Sequence, residues 1–217
     1  MTTPEPRPLL HERVDMGAAR LAARHQGRFS TETVQALIVD SYQRLAATAR
    51  VSAHLNVLAE RLAAERLGAL AAVQQAPGSR PVRVLFVCTQ NSGRSQIAAA
   101  LLAHRAPGQV TVSSAGTDPV AQVEPDLARV LGEVGADLGP AYPKPLTEEV
   151  VQAADVVITL GCGDACPVVP GRRYLDWPTP DPHGAPLAEL RRIRDAIDTR
   201  IHDLVDDLAL TSATETK

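Results

Sequence analysis

The sequence predicts an α/β protein in which a parallel sheet of four strands is preceded by a small all-α helical bundle. Three observations predict it. Apolar residues early in the chain recur at helical spacing, without strand-like runs. From residue 82 onward, short apolar runs alternate with helix-like segments, the pattern of a parallel sheet joined by crossovers. Between the two, residues 75–81 (Gln-Ala-Pro-Gly-Ser-Arg-Pro) cluster turn formers as a linker does. The expected domains are therefore residues 1–79 and 80–217.

The N-terminal domain reads as three helices. The first covers residues 9–25, with Val14, Ala18, Leu21 and Ala22 on one side. Ser30 is the expected N-cap of the second, since Thr31-Glu32-Thr33 follows it and Val34, Leu37, Ile38, Tyr42 and Leu45 then keep helical spacing. The third covers residues 51–73 and aligns Leu55, Leu58, Leu62, Leu67 and Leu70. Short connections favour a bundle. A bundle this small buries a limited core, so docking or self-association would help it, and a homodimer through these helices is the expectation. Its arginines are scattered rather than clustered, which argues against a DNA-reading helix-turn-helix.

The second domain alternates. Val82–Cys88 is a strand, residues 95–104 an Ala/Leu-rich helix, and 109–114 a strand ending at Ala115-Gly116. Residues 125–134 and 147–153 read as helices, 154–160 as a buried strand, and 173–175 as a brief one. A long helix over 186–208 closes the domain, and residues 211–217 are expected to fray. Ligands of such sheets sit beyond the carboxyl ends of the strands.

Composition narrows the function classes. At 217 residues, with 45% hydrophobic and 22% charged residues, the chain fits a soluble globular protein. A net charge of −3 supplies no bulk attraction to nucleic acid or an anionic membrane. No apolar run approaches the ~18 residues of a membrane span. The N-terminal Met-Thr-Thr-Pro-Glu-Pro lacks the basic-then-apolar order of an export signal. Three cysteines without such a signal fit cytoplasmic thiols in redox or catalytic roles rather than a disulfide scaffold.

The most informative segment is Cys88-Thr89-Gln90-Asn91-Ser92-Gly93-Arg94-Ser95, lying between the first strand of the second domain and its first helix. A short strand-to-helix loop turns successive backbone N–H groups inward as a nest, and the helix start adds unpaired N–H groups and the positive end of the dipole. Phosphate-like anions bind such places. Thr89 to Arg94 are the expected oxyanion-binding residues; Gly93 frees the backbone, and the Arg94 fork reaches two oxygens of the anion. The same field favours the thiolate of Cys88, and the Ser95 hydroxyl is placed to donate to that sulfur.

Two further segments follow later strands and so fall on the same sheet edge. Gly161-Cys162-Gly163-Asp164-Ala165-Cys166-Pro167 carries both remaining cysteines. A thiol relay with Cys88 is the preferred reading. Two structural thiols and a metal site stay open, although a zinc site needs four ligands and only His183 is an obvious further candidate. Asp176-Trp177-Pro178-Thr179-Pro180-Asp181-Pro182 offers a carboxylic acid for a leaving oxygen, with Asp181 preferred and Asp176 the fallback.

With these residues in hand, residues 82–210 resemble the low-molecular-weight phosphotyrosine phosphatase fold, and specifically its arsenate reductase branch. The resemblance rests on the loop from Cys88 to Gln96, Ser114-Ala-Gly116, Lys144-Pro-Leu-Thr147, Val157-Ile-Thr-Leu160 before a cysteine, Cys166-Pro167 and Asp181-Pro182, all in family order. Residues 1–75 resemble the helical extension of some actinobacterial-type arsenate reductases. The resemblance implies a three-layer fold and an enzyme of arsenic detoxification. Cys88 attacks arsenate, aided by Arg94, with Asp181 as proton donor. Cys162 then attacks Cys88, arsenite leaves, and a Cys162–Cys166 disulfide is handed to thioredoxin. No bound cofactor or metal is implied; some relatives hold potassium through an acidic residue where Ala99 stands. Gly93 stands where the family loop commonly has a second cysteine. Related enzymes with a glycine-flanked motif use mycothiol and mycoredoxin, so that route stays an alternative. A tyrosine phosphatase is the other; phosphatases of this fold usually have an aromatic residue after the Asp-Pro pair, where this chain has His183.

Overall fold

The computed structural model describes residues 7–49, 54–75, 79–162 and 166–214. The chain divides into two compact units, Met1–Ala72 and Val73–Lys217.

The first unit contains α1 (Arg7–Arg24), α2 (Thr31–Ala46) and α3 (Leu55–Val73). Ser30 caps α2 as its sequence predicts, its hydroxyl accepting the Thr33 N–H at 3.2 Å from an extended backbone. The three helices share one core: Ala18 and Leu21 from α1, Val34 and Ile38 from α2, Ala63 and Leu67 from α3. The stripe that α3 buries runs Leu55, Ala59, Leu62, Ala63, Arg66, Leu67. Leu58 and Leu70, aligned with it by sequence, are only half-buried. A buried arginine takes part in their place. Arg66 donates to Asp40 at 2.6 Å and to Ser41 at 3.0 Å, so its charge is paired and its burial tolerated. Residues 51–53 of the expected third helix and 76–78 of the expected linker lie outside the described residues.

The second unit runs β1 (Val82–Cys88), α4 (Arg94–Arg105), β2 (Val110–Gly116), α5 (Leu127–Gly132), α6 (Glu148–Ala153), β3 (Val156–Thr159), β4 (Arg173–Asp176) and α7 (Leu187–Thr214). The four strands form one parallel sheet in the order β2-β1-β3-β4. β3 is shorter than its apolar run. It begins after Asp155, whose carboxylate takes the Arg80 guanidinium at 2.6 and 2.9 Å and the Arg83 N–H at 2.8 Å. α7 continues to Thr214, through residues expected to fray, and no Gly or Pro interrupts it.

The sheet sorts side chains by the period of two. Val84, Phe86 and Cys88 of β1 face a core built with Ile97 and Leu101 of α4, Leu127 and Leu131 of α5, and Ile193, Ile197 and Ile201 of α7. Leu85 and Val87 face the other way, into a smaller core with Val151 of α6, Val157 of β3, and Cys162 and Cys166. The result is the expected three-layer arrangement, and it puts the first cysteine and the later pair in different layers. Among the described residues no helix is long and apolar enough to cross a membrane.

Candidate active site

The segment from Cys88 to Arg94 is a cradle because its carbonyls are drawn outward. The loop after β2 runs beside it and donates an N–H to four of them. Thr117 donates to Cys88 O at 3.1 Å, Asp118 to Thr89 O at 2.8 Å, Val120 to Gln90 O at 3.2 Å and Glu124 to Ser92 O at 3.0 Å. Asn91 O accepts Gln96 Nε2 at 3.0 Å. With the carbonyls spent on neighbours, the N–H groups are left to the concave side, the arrangement of an anion nest. α4 begins at Arg94 and points its N-terminus into the same space.

Asn91 locks this shape. It is fully buried with φ +50, a conformation asparagine tolerates better than most residues. Its Oδ1 accepts the Lys144 backbone N–H at 2.9 Å and Gln96 Nε2 at 3.1 Å. The backbone donor fixes the amide's orientation, so Nδ2 faces Ser95 Oγ at 2.8 Å. Ser95 thereby accepts from Asn91 and keeps its own hydrogen for Cys88 Sγ, 3.0 Å away. The Asn91 N–H also points at that sulfur, at 3.2 Å. Cys88 is buried at the tip of β1, so its sulfur sits between two donors and faces the cradle. Gly116 lets the end of β2 come this close: a Cβ there would stand 2.7 Å from Thr89 O.

Arg94 and Asp181 meet over the opening. Arg94 is buried, and its Nη2 lies 3.2 Å from Asp181 Oδ2 while Nη1 lies 3.4 Å from Thr179 O. Asp181 stands on the loop after β4, and the neighbouring Pro182 packs on the cradle: a Cβ on Gly93 would lie 2.3 Å from Pro182 Cγ. Asp176, the fallback acid, is instead engaged by Thr159 Oγ1 at 2.5 Å. The side chains of Thr89, Gln90 and Ser92 bond locally, Thr89 to Gly161 O at 3.3 Å and Ser92 to Gln90 at 3.4 Å, so their part in the cradle is mainly backbone.

A family model for low molecular weight phosphotyrosine protein phosphatases matches residues 83–213, and one for the N-terminal domain of protein-tyrosine-phosphatase-like proteins matches residues 14–71. The chain belongs to the low-molecular-weight phosphotyrosine protein phosphatase family. Its relatives within that family include reductases. A thioredoxin-dependent arsenate reductase of Corynebacterium glutamicum is 42% identical, with a TM-score of 0.83 over 92% of this chain and 98% of that one. A glutaredoxin arsenate reductase of Synechocystis is 32% identical over 57% of this chain and 95% of its own length. An arsenate reductase of Brevibacillus brevis is 34% identical over 54% of this chain and 90% of its own.

In this member of the phosphatase family two more thiols stand near the cradle. All three cysteines are free and buried. The Cys166 thiol hydrogen-bonds the Cys162 sulfur, and this outweighs burial and the nearby Asp176 to hold Cys162 down at about 7. The same bond, with burial, pushes Cys166 upward. Cys162 Sγ also lies 3.9 Å from the carbonyl of Val87, the residue before Cys88. That contact is long, and the hydrogen bond from Cys166 is the larger influence on Cys162. The first two thiols are thus one strand-end apart but on opposite faces of the sheet. Gly163, Asp164 and Ala165 lie outside the described residues.

Among the described residues no group of three or more His, Cys, Asp and Glu side chains is placed to hold a metal ion. His183, the further zinc candidate, hydrogen-bonds Glu124 at 2.8 Å. Sequence reasoning gave no structural part to Gln96 or to the segment 142–146. Gln96 donates to Asn91 and to Tyr142 O at 3.1 Å, and Lys144 supplies the amide that orients Asn91. A glutamine on the buried side of a helix is a visible signal; a backbone amide brought in from another segment leaves none.

Proposed function

We propose that the chain is an arsenate reductase. The observation that carries this reading is the pairing of an oxyanion cradle around Cys88 with a second, hydrogen-bonded pair of thiols at the end of the neighbouring strand. The 42% identity to a thioredoxin-dependent arsenate reductase over nearly the whole chain supports it. A phosphatase has a use for the first of these features and none for the second.

Arsenate binds to the loop N–H groups and to Arg94, which exchanges Asp181 for the anion. The Cys88 thiolate attacks arsenic; a sulfur–arsenic bond forms and an arsenic–oxygen bond breaks. The leaving oxygen takes a proton from Asp181 and departs as water. The Cys162 thiolate then attacks Cys88 Sγ. A disulfide forms, the sulfur–arsenic pair returns to arsenic, and As(V) becomes As(III), released as arsenite. Cys166 attacks Cys162 in turn and frees Cys88. Thioredoxin supplies the two electrons that reopen the Cys162–Cys166 disulfide.

The test is arsenate turnover by the purified full chain, supplied with thioredoxin, thioredoxin reductase and NADPH. Continuous arsenite release is expected from the wild type and none from Cys162→Ser or Cys166→Ser beyond one event per chain. Full turnover by both variants overturns the relay. Turnover only with mycothiol and mycoredoxin overturns the thioredoxin coupling. Hydrolysis of a phosphotyrosine analogue without arsenite release overturns the reductase itself.

A further inference from the structure

The loop that carries Asp181 is fastened at a second point which the reaction above does not use. His183 Nδ1 lies 2.8 Å from Glu124 Oε1. Glu124 is itself anchored to the cradle, its backbone N–H donating to Ser92 O at 3.0 Å. The His183 N–H donates to Asp181 Oδ1 at 3.1 Å, while Arg94 holds Asp181 Oδ2 at 3.2 Å. The contacts close a ring: Ser92, Glu124, His183, Asp181 and Arg94, beginning and ending on the cradle. Asp181 is held by one oxygen from the cradle and by the other from His183. Its position therefore depends on what keeps residue 183 in place.

We propose that His183 is a positioning residue, whose ion pair with Glu124 holds the Asp181 loop closed over the oxyanion cradle. This rests on the reading of Asp181 as the proton donor. Glu124 carries no proton when ionised, so Nδ1 must donate, and only the imidazolium adds charge to that bond. The charged groups acting on His183 are Glu124, from the loop after β2, and Asp181, from its own loop. Both favour the cation, Glu124 most through its hydrogen bond, and they hold His183 above the ordinary histidine value of 6.5. The pair is intact below that raised value and weakens as pH rises through it. Its side chains are unequally placed, His183 being 73% exposed and Glu124 14%. An exposed pair is weak, so its effect is a modest bias on a loop rather than a contribution to folding.

The test uses the fully reduced full-length protein and a single turnover, in which the protein's own thiols supply both electrons and no outside reductant is needed. The rate of arsenite release is measured against arsenate concentration from pH 6 to 9 for wild type, His183→Gln, His183→Lys, Glu124→Gln and Asp181→Asn. His183→Gln and Glu124→Gln are expected to lower the saturating rate about fivefold near neutral pH, with half-saturation unchanged. The ratio of wild type to His183→Gln cancels the pH dependence of the shared thiols. It is expected to fall toward one at alkaline pH. His183→Lys restores the rate and carries the fall to higher pH. Asp181→Asn is expected to lose about 100-fold. If Asp181→Asn loses its rate while His183→Gln matches wild type at every pH, the clasp is wrong and the acid stands. If Asp181→Asn keeps its rate, the acid reading fails, and the clasp with it. If His183→Gln alters half-saturation alone, His183 binds arsenate, and the positioning role is overturned.

Discussion

Pro182 Cγ lies 2.3 Å from where a Cβ on residue 93 would stand, closer than two carbons approach without bonding. The obstacle is a ring carbon, which cannot swing aside as a flexible side chain does. Adding a Cβ at 93 therefore lifts the Asp181 loop or flattens the cradle. The glycine here goes with a loop packed closely on the cradle. Gly93→Ala is expected to lower single-turnover arsenite release at least tenfold. Gly93→Ala combined with Pro182→Ala is expected to regain part of that loss, because the clash goes with the ring. A double variant no better than Gly93→Ala alone would show that the damage lies in the cradle backbone. At this scale the chemistry was legible where the side chain itself does the work. A nucleophilic sulfur, a fork for oxyanions and a carboxylic acid each require one kind of residue, and the three that the sequence offers for these proposed roles, Cys88, Arg94 and Asp181, stand around one cradle. The part played by Asn91 was not legible, since it depends on a φ of +50 and on an amide from residue 144.

Strands and helices of the second unit were largely legible, because a period of two or of 3.6 is written in the order of apolar residues. Ends were less so, since they are set by polar contacts across the fold, such as Asp155 with Arg80. α3 shows the opposite limit: Leu55, Leu62 and Leu67 are buried as their spacing suggests, but alanines and a paired arginine, which the spacing did not single out, complete the buried face. The attachment of α5 to α7 is also of this polar kind. Glu133, at the end of α5, takes Arg191 at 2.7 and 2.8 Å and Arg194 at 3.0 Å. The Arg191 hydrogen bonds chiefly, with help from Arg194, hold its carboxyl at about 2, below the ordinary 4.5. A lowered acid stabilises the fold above its unfolded value and loses that contribution as pH falls through the folded one. Glu133→Gln is therefore expected to unfold more easily than wild type at pH 7. The difference is expected to shrink between pH 4.5 and about 2 and to vanish below, as followed by chemical denaturation across that range. A difference independent of pH would place the effect in packing instead of charge.

At the scale of the molecule, the sheet separates the three cysteines to which the proposed reaction assigns its steps. Alternation along β1 sends Cys88 to one layer, while Cys162 and Cys166 pack in the other with Leu85 and Val87. In the proposed mechanism oxyanion binding and thiol exchange thus belong to different cores, and Cys162 passes round the end of β1 to reach Cys88. In that proposed relay Cys166 prepares Cys162 for the step. Its thiol hydrogen-bonds the Cys162 sulfur and lowers it to about 7, which favours the Cys162 thiolate toward neutral pH. The disulfide-forming step should then rise about tenfold from pH 6 to 8 and level off above. Replacing Cys166 stops the relay after that step, so a Cys88–Cys162 disulfide accumulates and one arsenite is released per chain. The replacement also sets the donor. Cys166→Ser keeps a hydroxyl, and its rate of disulfide formation is expected to follow the wild-type pH profile. Cys166→Ala removes the donor, and its profile is expected to move toward the ~8.5 of an ordinary thiol, with a slower rate at pH 7. Mass spectrometry of quenched samples follows the disulfide directly in both. Identical profiles for the two variants would remove Cys166 from the activation of Cys162 and leave it only the last exchange.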